Sequence, residues 1–275
     1  MIFDPNKDFV YGRRIHQDKL FCSTDTYERF KKHKLKFGKN WYYYDNPINY
    51  KFNSLGYRAI EFDELKNGFI AAFGCSYTMG IGLHNEDIWI NKLCKKLNKQ
   101  PLNLGLEGVG NNISYINNIN LFKYCKKKNI KPEAIIVQLT FNERREFYNS
   151  QNDELHIVLS PYNTVFDYEK EDHSWFINRY VPDSSERSVM TYINLNAITL
   201  LWNSINIPVY FWSFTEDFDN GQLKFLPDQE VLPVGWYDHF SGDLTDKDRA
   251  RDVGHNGRVE HELASELLIK KYFNG

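Results

Sequence analysis

Residues 134–140 constrain the fold of this chain more than any other segment. They form an almost uninterrupted run of apolar, largely β-branched residues, which is typical of a strand whose two faces are both covered. Such a strand lies inside a sheet rather than at its edge, and sheets of this kind are usually parallel, with helices on both sides. We therefore expect residues 134–140 to be a central strand of an α/β sheet.

Strand and helix patterns alternate along much of the remaining chain. Apolar runs of strand length occupy residues 69–73, 101–104 and 209–214. Helical spacing and helix-forming segments predict helices over residues 87–97, 112–128, 187–206 and 258–272. Strands that alternate with helices are joined by right-handed crossovers. The sequence therefore predicts an α/β fold in which a mainly parallel sheet lies between helical layers.

Three segments lack a regular pattern. Residues 1–66 mix polar and aromatic side chains, and we expect an irregular N-terminal extension packed on a core domain of residues 67–275. Residues 143–186 are polar and aromatic over a length more typical of a lid or wall of a site than of a simple connection. Residues 215–250, which contain several prolines and glycines, are expected to be loop with room for a short strand.

Composition and charge exclude several classes of function. The chain has 275 residues and a formal net charge of -2, so we expect no nucleic-acid partner, and the lysine-rich residues 31–39 are interpreted as a solvated face. No apolar run approaches about 18 residues and no signal-peptide pattern begins the chain, which predicts no membrane association and a location in the cytoplasm or a soluble assembly. The four cysteines lack CxxC spacing, which favours reduced thiols, and no histidine spacing indicates a metal site. The oligomeric state does not follow from the sequence.

A serine lies at the turn that follows residues 69–73. The apolar run stops at Gly74, and Ser76 follows two residues later, ahead of further glycines and a helix. Because α/β sheets bind ligands at the carboxyl ends of their strands, this layout is typical of a nucleophile on a turn. A serine that only caps the next helix fits the same pattern. Gly108 and Asn142 follow the next two predicted strands, and we expect them at the same sheet edge.

These groups have the chemistry that acyl transfer needs. A hydroxyl nucleophile works with hydrogen-bond donors that face the carbonyl oxygen as it becomes negative, an arrangement called the oxyanion hole. The backbone N–H groups of Ser76 and Gly108 and the side-chain amide of Asn142 could supply three such donors. Near the C-terminus, Asp252 precedes His255 by three residues. That spacing lets the carboxylate accept the Nδ1–H of the histidine and leaves Nε2 to take the proton of the serine.

In this order the motifs resemble the four blocks of the SGNH hydrolases, the GDSL-type esterase and lipase superfamily. The blocks are matched, along residues 68–275, by 74–76, Gly108, Asn142 and 252–255. The resemblance implies a flavodoxin-like three-layer α/β/α sandwich and no cofactor. It also implies that Ser76 is the nucleophile, His255 the base and Asp252 the residue that orients it, with an oxyanion hole from Ser76, Gly108 and Asn142.

Two positions depart from the family pattern. Cys75 stands where an aspartate usually precedes the serine, and the usual GxND block reads TFNE at 140–143. The first departure alters hydrogen bonds at the turn, so low activity is one expectation. Cys75 itself is an alternative nucleophile, although the family geometry points Ser76 at the oxyanion hole.

The resemblance and the polar, aromatic loops together predict a serine esterase that removes a small acyl group, above all acetyl, from a carbohydrate or similar polar substrate. Tyr77 and Arg144 are candidate substrate contacts, and for Arg144 an ion pair with the acidic residues 167–172 is the alternative. For the whole chain the alternative is a non-catalytic or weakly active protein of this fold that binds partners in a larger assembly.

Two further polar positions are expected to have structural roles. His261, six residues after His255, is predicted to pack on the last helix or to lie at the surface. Asn111 and Asn112 are predicted to cap the helix that follows them.

Overall fold

The computed structural model describes residues 18–140, 144–149, 154–158, 184–214, 231–233 and 245–273, with backbone alone for 145–149, 154–158, 184–188, 231 and 233. Its strands and longer helices are, in chain order, β1 Asp18–Lys19, α1 Tyr27–Phe37, β2 Tyr50–Lys51, β3 Phe69–Gly74, α2 Ser76–Met79, α3 Trp89–Leu97, β4 Pro101–Gly105, α4 Asn111–Lys128, β5 Pro132–Leu139, β6 Arg145–Asn149, β7 Glu154–Val158, α5 Ser184–Asn203, β8 Val209–Ser213, β9 Val231–Pro233 and α6 Arg258–Tyr272.

A five-stranded parallel sheet lies at the centre of the fold, in the spatial order β4–β3–β5–β8–β9. Counted along the chain, these strands follow the order 2-1-3-4-5, which is that of flavodoxin-like sheets. The middle strand is β5, in which every residue except Glu133 is buried, as its continuous apolar run predicts. The short strand β9 lies within the loop where the sequence left room for one.

Helices cover both faces of this sheet. Helices α4 and α5 pack together on one face, and α3 and α6 pack together on the other. Strand β3 shows why two layers form, because Phe69 and Phe73 contact the first layer while Ile70 contacts the second. The predicted three-layer α/β/α sandwich with a parallel, flavodoxin-like sheet is confirmed.

The N-terminal extension contains more regular structure than its composition predicts. Helix α1 begins after Thr26, whose side chain accepts a hydrogen bond from the backbone N–H of Arg29, and it ends at Gly38 with φ 67°. None of its residues is fully buried, so the sequence shows no clear apolar face at helical spacing. An aromatic cluster that includes Trp41 and Tyr50 packs this extension against Met79 and Ile81 of the core domain. The boundary between residues 66 and 67 stays a prediction.

The segment that follows β5 also contains pairing that the sequence did not indicate. Strands β6 and β7 form an antiparallel hairpin, and α5 begins at Ser184. The rest of the predicted lid or wall, residues 143, 150–153 and 159–183, lies outside the described residues, as does most of the 215–250 loop. Among the helices described, none is both long and apolar enough to cross a membrane. The four cysteines are all buried and form no disulfide.

Candidate active site

The turn between β3 and α2 presents Ser76 at the carboxyl edge of the sheet. A side chain at Gly74 would put its Cβ 2.4 Å from Thr78 Oγ1 and 2.7 Å from Gln138 Oε1, so only glycine fits there. Gly105, at the end of β4, has the same requirement, because its Cβ would lie 2.4 Å from the backbone nitrogen of Met79. The glycines therefore let the serine turn pack closely against its neighbours.

The Cys75 side chain points into the interior and takes part in holding this turn. Its Sγ and its backbone N–H both donate to Gln138 Oε1, at 3.4 and 3.3 Å, and Thr78 Oγ1 donates to the same oxygen at 3.1 Å. Cys75 has no exposed surface. Because the thiol is buried and hydrogen-bonded within the turn, it has no access to a substrate carbonyl, which weakens the alternative in which Cys75 is the nucleophile.

Ser76, His255 and Asp252 form a continuous chain of hydrogen bonds. His255 Nε2 lies 2.9 Å from Ser76 Oγ, and His255 Nδ1 lies 2.7 Å from Asp252 Oδ2. A carboxylate only accepts hydrogen bonds, so in the neutral ring Nδ1 carries the proton and Nε2 is free to accept one from the serine. The structure thus brings together three residues that the sequence predicts to act together, although Ser76 and His255 are 179 positions apart.

The Asp252 carboxylate is buried and surrounded by donors. Its Oδ1 accepts the backbone N–H groups of Gly254 and His255, at 3.1 and 3.2 Å. Burial acts to raise the pKa of Asp252, but hydrogen bonds from His255, Thr24 and Gly254 outweigh it, and the pKa lies below its ordinary value. Asp252 therefore stays ionised at neutral pH and can stabilise a positive charge on His255.

The loop that joins Asp252 to His255 holds an unusual backbone conformation. Val253 has φ 59°, in the left-handed region that β-branched residues rarely adopt. Its N–H donates to Ala250 O at 2.8 Å, which closes a tight turn. Asp252 lies within this turn, and its Oδ2 is 2.7 Å from Nδ1 of His255. Backbone strain of this kind persists where the surrounding structure enforces it.

Of the two candidate substrate contacts, Tyr77 lies beside His255 and Arg144 lies shortly after the end of β5. The Tyr77 ring centroid is 5.1 Å from that of His255 and 5.3 Å from that of Phe214, and burial raises the pKa of Tyr77 to about 12, so its hydroxyl is neutral. Arg144 Nη1 donates to Thr140 Oγ1 at 3.0 Å. The acidic residues proposed as its alternative partners lie outside the described residues.

Two of the three expected oxyanion donors are described. The Ser76 N–H belongs to the first turn of α2, where donors have no partner within the helix. Gly108 lies in the turn after β4, and this turn is held beside the serine turn by a 3.0 Å hydrogen bond from Leu106 N–H to Gly74 O. Asn142 lies outside the described residues, and its part in the site stays a prediction.

Residues of the N-terminal extension that the sequence did not single out also reach this site. Thr24 Oγ1 donates to Asp252 Oδ2 at 2.6 Å. The neighbouring Asp25 pairs with Arg251 through Oδ1 to Nε at 2.9 Å and Oδ2 to Nη2 at 2.7 Å, and both side chains are buried. The partners are 226 and 228 positions apart, and no local pattern in one sequence signals contacts of that range.

The two polar positions expected to be structural behave differently from each other. His261 is buried and accepts the Trp89 N–H at Nδ1, at 3.0 Å, so the predicted packing role is confirmed. Asn111 does not cap α4, whose N-cap is Gly110. Instead its side-chain amide forms hydrogen bonds with both the backbone oxygen and the backbone N–H of Thr140. Thr140 follows the last residue of β5, where the backbone polar groups need partners outside the strand. In the described part of the chain, no group of three His, Cys, Asp or Glu residues could hold a metal ion.

Comparisons with known proteins find similar solved structures but no match among family models or curated sequences. The similar solved structures include SGNH and G-D-S-L proteins and carbohydrate esterases.

Three of these structures show how similar the solved structures are to this chain. A member of the lipolytic protein G-D-S-L family from Veillonella parvula has a TM-score of 0.41 and 13% identity, covering 75% of this chain and 98% of that one. A carbohydrate esterase family 2 enzyme with its carbohydrate binding domain, from Myceliophthora fergusii, has a TM-score of 0.44 and 12% identity, with coverages of 77% and 67%. AlinE4, an SGNH-hydrolase family esterase, has a TM-score of 0.37 and 16% identity, with coverages of 77% and 99%. At these values none of the likenesses assigns an activity or a substrate to this chain.

Proposed function

We propose that this protein is a serine esterase of the SGNH type that hydrolyses a small O-acyl ester. The observation that supports it most directly is the hydrogen-bonded chain from Ser76 Oγ to His255 Nε2, 2.9 Å, and from His255 Nδ1 to Asp252 Oδ2, 2.7 Å. A serine that merely caps a helix needs no imidazole within proton-transfer distance, nor a buried carboxylate behind that imidazole.

The mechanism follows from the roles of these groups. Ser76 Oγ attacks the ester carbonyl carbon while His255 Nε2 takes its proton, and ionised Asp252 stabilises the resulting imidazolium. Backbone N–H groups of Ser76 and Gly108, with the Asn142 amide, stabilise the oxyanion. His255 then returns the proton to the leaving alcohol as the C–O bond breaks and an acyl-serine forms. Water, activated by the same nitrogen, releases the carboxylic acid and restores the hydroxyl.

For the substrate we propose an O-acetyl ester on a carbohydrate or a similar polar molecule. The support comes from the sequence of residues 143–186, which are polar and aromatic and which follow the strand that ends beside the site. Aromatic side chains stack on sugar rings, whereas a lipase would be expected to have an apolar cover over its site. No cofactor takes part in this proposal.

The proposal is tested with p-nitrophenyl esters of increasing acyl length, with acetylated sugars and with a fluorophosphonate probe that labels activated serines. Wild type should prefer acetyl, and Ser76→Ala should lower kcat by roughly 10⁴-fold or more and abolish labelling. Cys75→Ala is the matched control, because it removes the neighbouring thiol and keeps the hydroxyl. Loss of turnover in Cys75→Ala with retained turnover in Ser76→Ala would instead make the thiol the nucleophile.

The pH dependence tests the base separately. Protonated His255 cannot take the proton of Ser76, so kcat/KM should decline as the pH is lowered and the imidazole becomes charged. A value of kcat/KM that stays constant as the pH is lowered would contradict this role for His255. If neither turnover nor labelling occurs with wild type on any ester, the non-catalytic binding protein becomes the better interpretation.

A further inference from the structure

We propose that Thr24, in the N-terminal extension, is a positioning residue that fixes the Asp252 carboxylate behind His255. This inference rests on the proposed function, since it assigns Thr24 a part in the reaction of Ser76. Thr24 touches neither the nucleophile nor the oxyanion donors, and it acts only through Asp252.

The geometry at the carboxylate is the first step. Asp252 Oδ2 accepts two hydrogen bonds, from Thr24 Oγ1 at 2.6 Å and from His255 Nδ1 at 2.7 Å. Its Oδ1 accepts two backbone N–H groups of its own loop. The torsion that turns a carboxylate about its Cβ–Cγ bond is broad, so the plane of the group is defined by its donors. Without the threonine hydroxyl, the oxygen that faces His255 would keep a single side-chain donor.

The extension presents the threonine hydroxyl from a hydrogen-bonded turn. Cys22 and Asp25 exchange two backbone hydrogen bonds of 3.0 Å, which close the four-residue turn that contains Thr24. Asp25 is anchored in turn to Arg251, the residue directly before Asp252. Two successive residues of the turn, Thr24 and Asp25, thus bond two successive residues of the loop, Asp252 and Arg251, and a buried ion pair anchors the backbone that carries Thr24.

A second contact extends this attachment. His33, in α1, lies with Nδ1 3.2 Å from the backbone oxygen of Arg251. Arg251 N–H donates to Gly82 O at 2.9 Å, so the loop is bound on its other side to the segment that follows Ser76. The extension and the segment after α2 therefore both bind the loop of Asp252, and the distance between nucleophile and base depends on both. This arrangement gives the extension a role in catalysis as well as in folding.

The test compares substitutions at two threonines of the extension. Thr24→Val removes the hydroxyl at nearly constant volume, and Thr24→Ser restores a donor. Thr26→Val is the matched control, because Thr26 Oγ1 accepts the Arg29 N–H at the start of α1 and is not among the hydrogen-bond donors described for Asp252. We expect Thr24→Val to lower kcat about tenfold with KM changed by less than about twofold, as befits the loss of one hydrogen bond to a charged group. Thr24→Ser and Thr26→Val should both keep kcat within about twofold of wild type.

A spectroscopic readout separates positioning from loss of folded protein. In the proton NMR spectrum, the His255 Nδ1 proton bonded to Asp252 should give a downfield resonance that shifts or broadens in Thr24→Val and is unchanged in Thr26→Val. Equal kcat in wild type and Thr24→Val, or an equal decrease in Thr24→Val and Thr26→Val, would overturn the inference. Failure of Thr24→Ser to restore kcat would do the same.

Failure of this inference is distinguishable from failure of the proposed function. If wild type turns over esters and Thr24→Val matches it, only the role of Thr24 is wrong. If wild type neither turns over esters nor reacts with the fluorophosphonate probe, the proposed function fails, and the role of Thr24 in catalysis fails with it.

Discussion

Replacing Asp25 with alanine should destabilise the protein far more than a typical surface substitution. Asp25 and Arg251 are 0% and 1% exposed, and they are joined by hydrogen bonds of 2.7 and 2.9 Å. Tyr50 also donates to Asp25 Oδ2, at 2.5 Å, and the Gly82 N–H donates to the Tyr50 hydroxyl. Alanine therefore leaves a buried guanidinium without its counter-charge and a buried phenol without its acceptor.

The expected cost follows from what is left unpaired. Removing one partner of a buried ion pair costs about 3–5 kcal/mol in free energy of unfolding, because the remaining charge stays desolvated. The lost acceptor of Tyr50 belongs to the same network, so its cost is not simply added. At about 2–4 °C per kcal/mol for a chain of this size class, the melting temperature should fall by roughly 6–20 °C.

Urea unfolding of wild type and variant, followed by circular dichroism, measures this difference. The matched control is Asp246→Ala, which removes a 2.8 Å ion pair with Lys36 between the same extension and the same loop, but with side chains 54% and 55% exposed. Exposed pairs contribute little, so the control should unfold close to wild type. If Asp25→Ala unfolds at the same urea concentration as Asp246→Ala, the conclusion that the buried pair holds the extension to the loop of Asp252 is refuted.

Two further predictions concern buried titratable groups of α6. Burial raises the pKa of Glu260 to about 7 from 4.5, so the folded state keeps a proton that the unfolded chain has released and stability falls as the pH rises from about 4.5 to 7. Glu260→Gln keeps an oxygen for the Gly257 N–H. In urea titrations this variant should raise the free energy of unfolding by up to about 3 kcal/mol at pH 8 and by little at pH 4.5. An equal increase at both pH values would contradict a penalty for burying the charged carboxylate. Burial lowers the pKa of His261 to about 3 from 6.5, so stability is lost as the pH falls below about 6.5, where only the unfolded chain takes up the proton. His261→Ala should lower the free energy of unfolding by about 2–4 kcal/mol at pH 7, since the Trp89 N–H loses its acceptor, and should weaken the loss of stability at acid pH. If thermal melts show the same change of melting temperature with pH in the variant as in wild type, this prediction is wrong.

Much of the fold could be predicted because burial leaves a local trace in the sequence. The run in residues 134–140 marked the middle strand, since a strand covered on both faces has no polar side to show. Glycines marked the turn at Ser76, where a Cβ at Gly74 would lie within 2.7 Å of two neighbouring side-chain oxygens. Helix α1 was not predicted, because none of its residues is fully buried. Its many lysines leave no clear apolar stripe around the partly buried aromatic residues.

The sequence by itself determined the α/β class, the order of the strands along the chain and the residue types on which the candidate chemistry depends. Only the tertiary structure decided that Ser76 Oγ and His255 Nε2 lie 2.9 Å apart, that Asn111 secures the end of β5 instead of capping a helix, and that Thr24 and Asp25 hold the loop of Asp252. The physical reason is range. Periodicity and turn chemistry report on neighbours within a few residues, whereas a hydrogen bond across 228 positions depends on how separate elements pack, which no local pattern encodes.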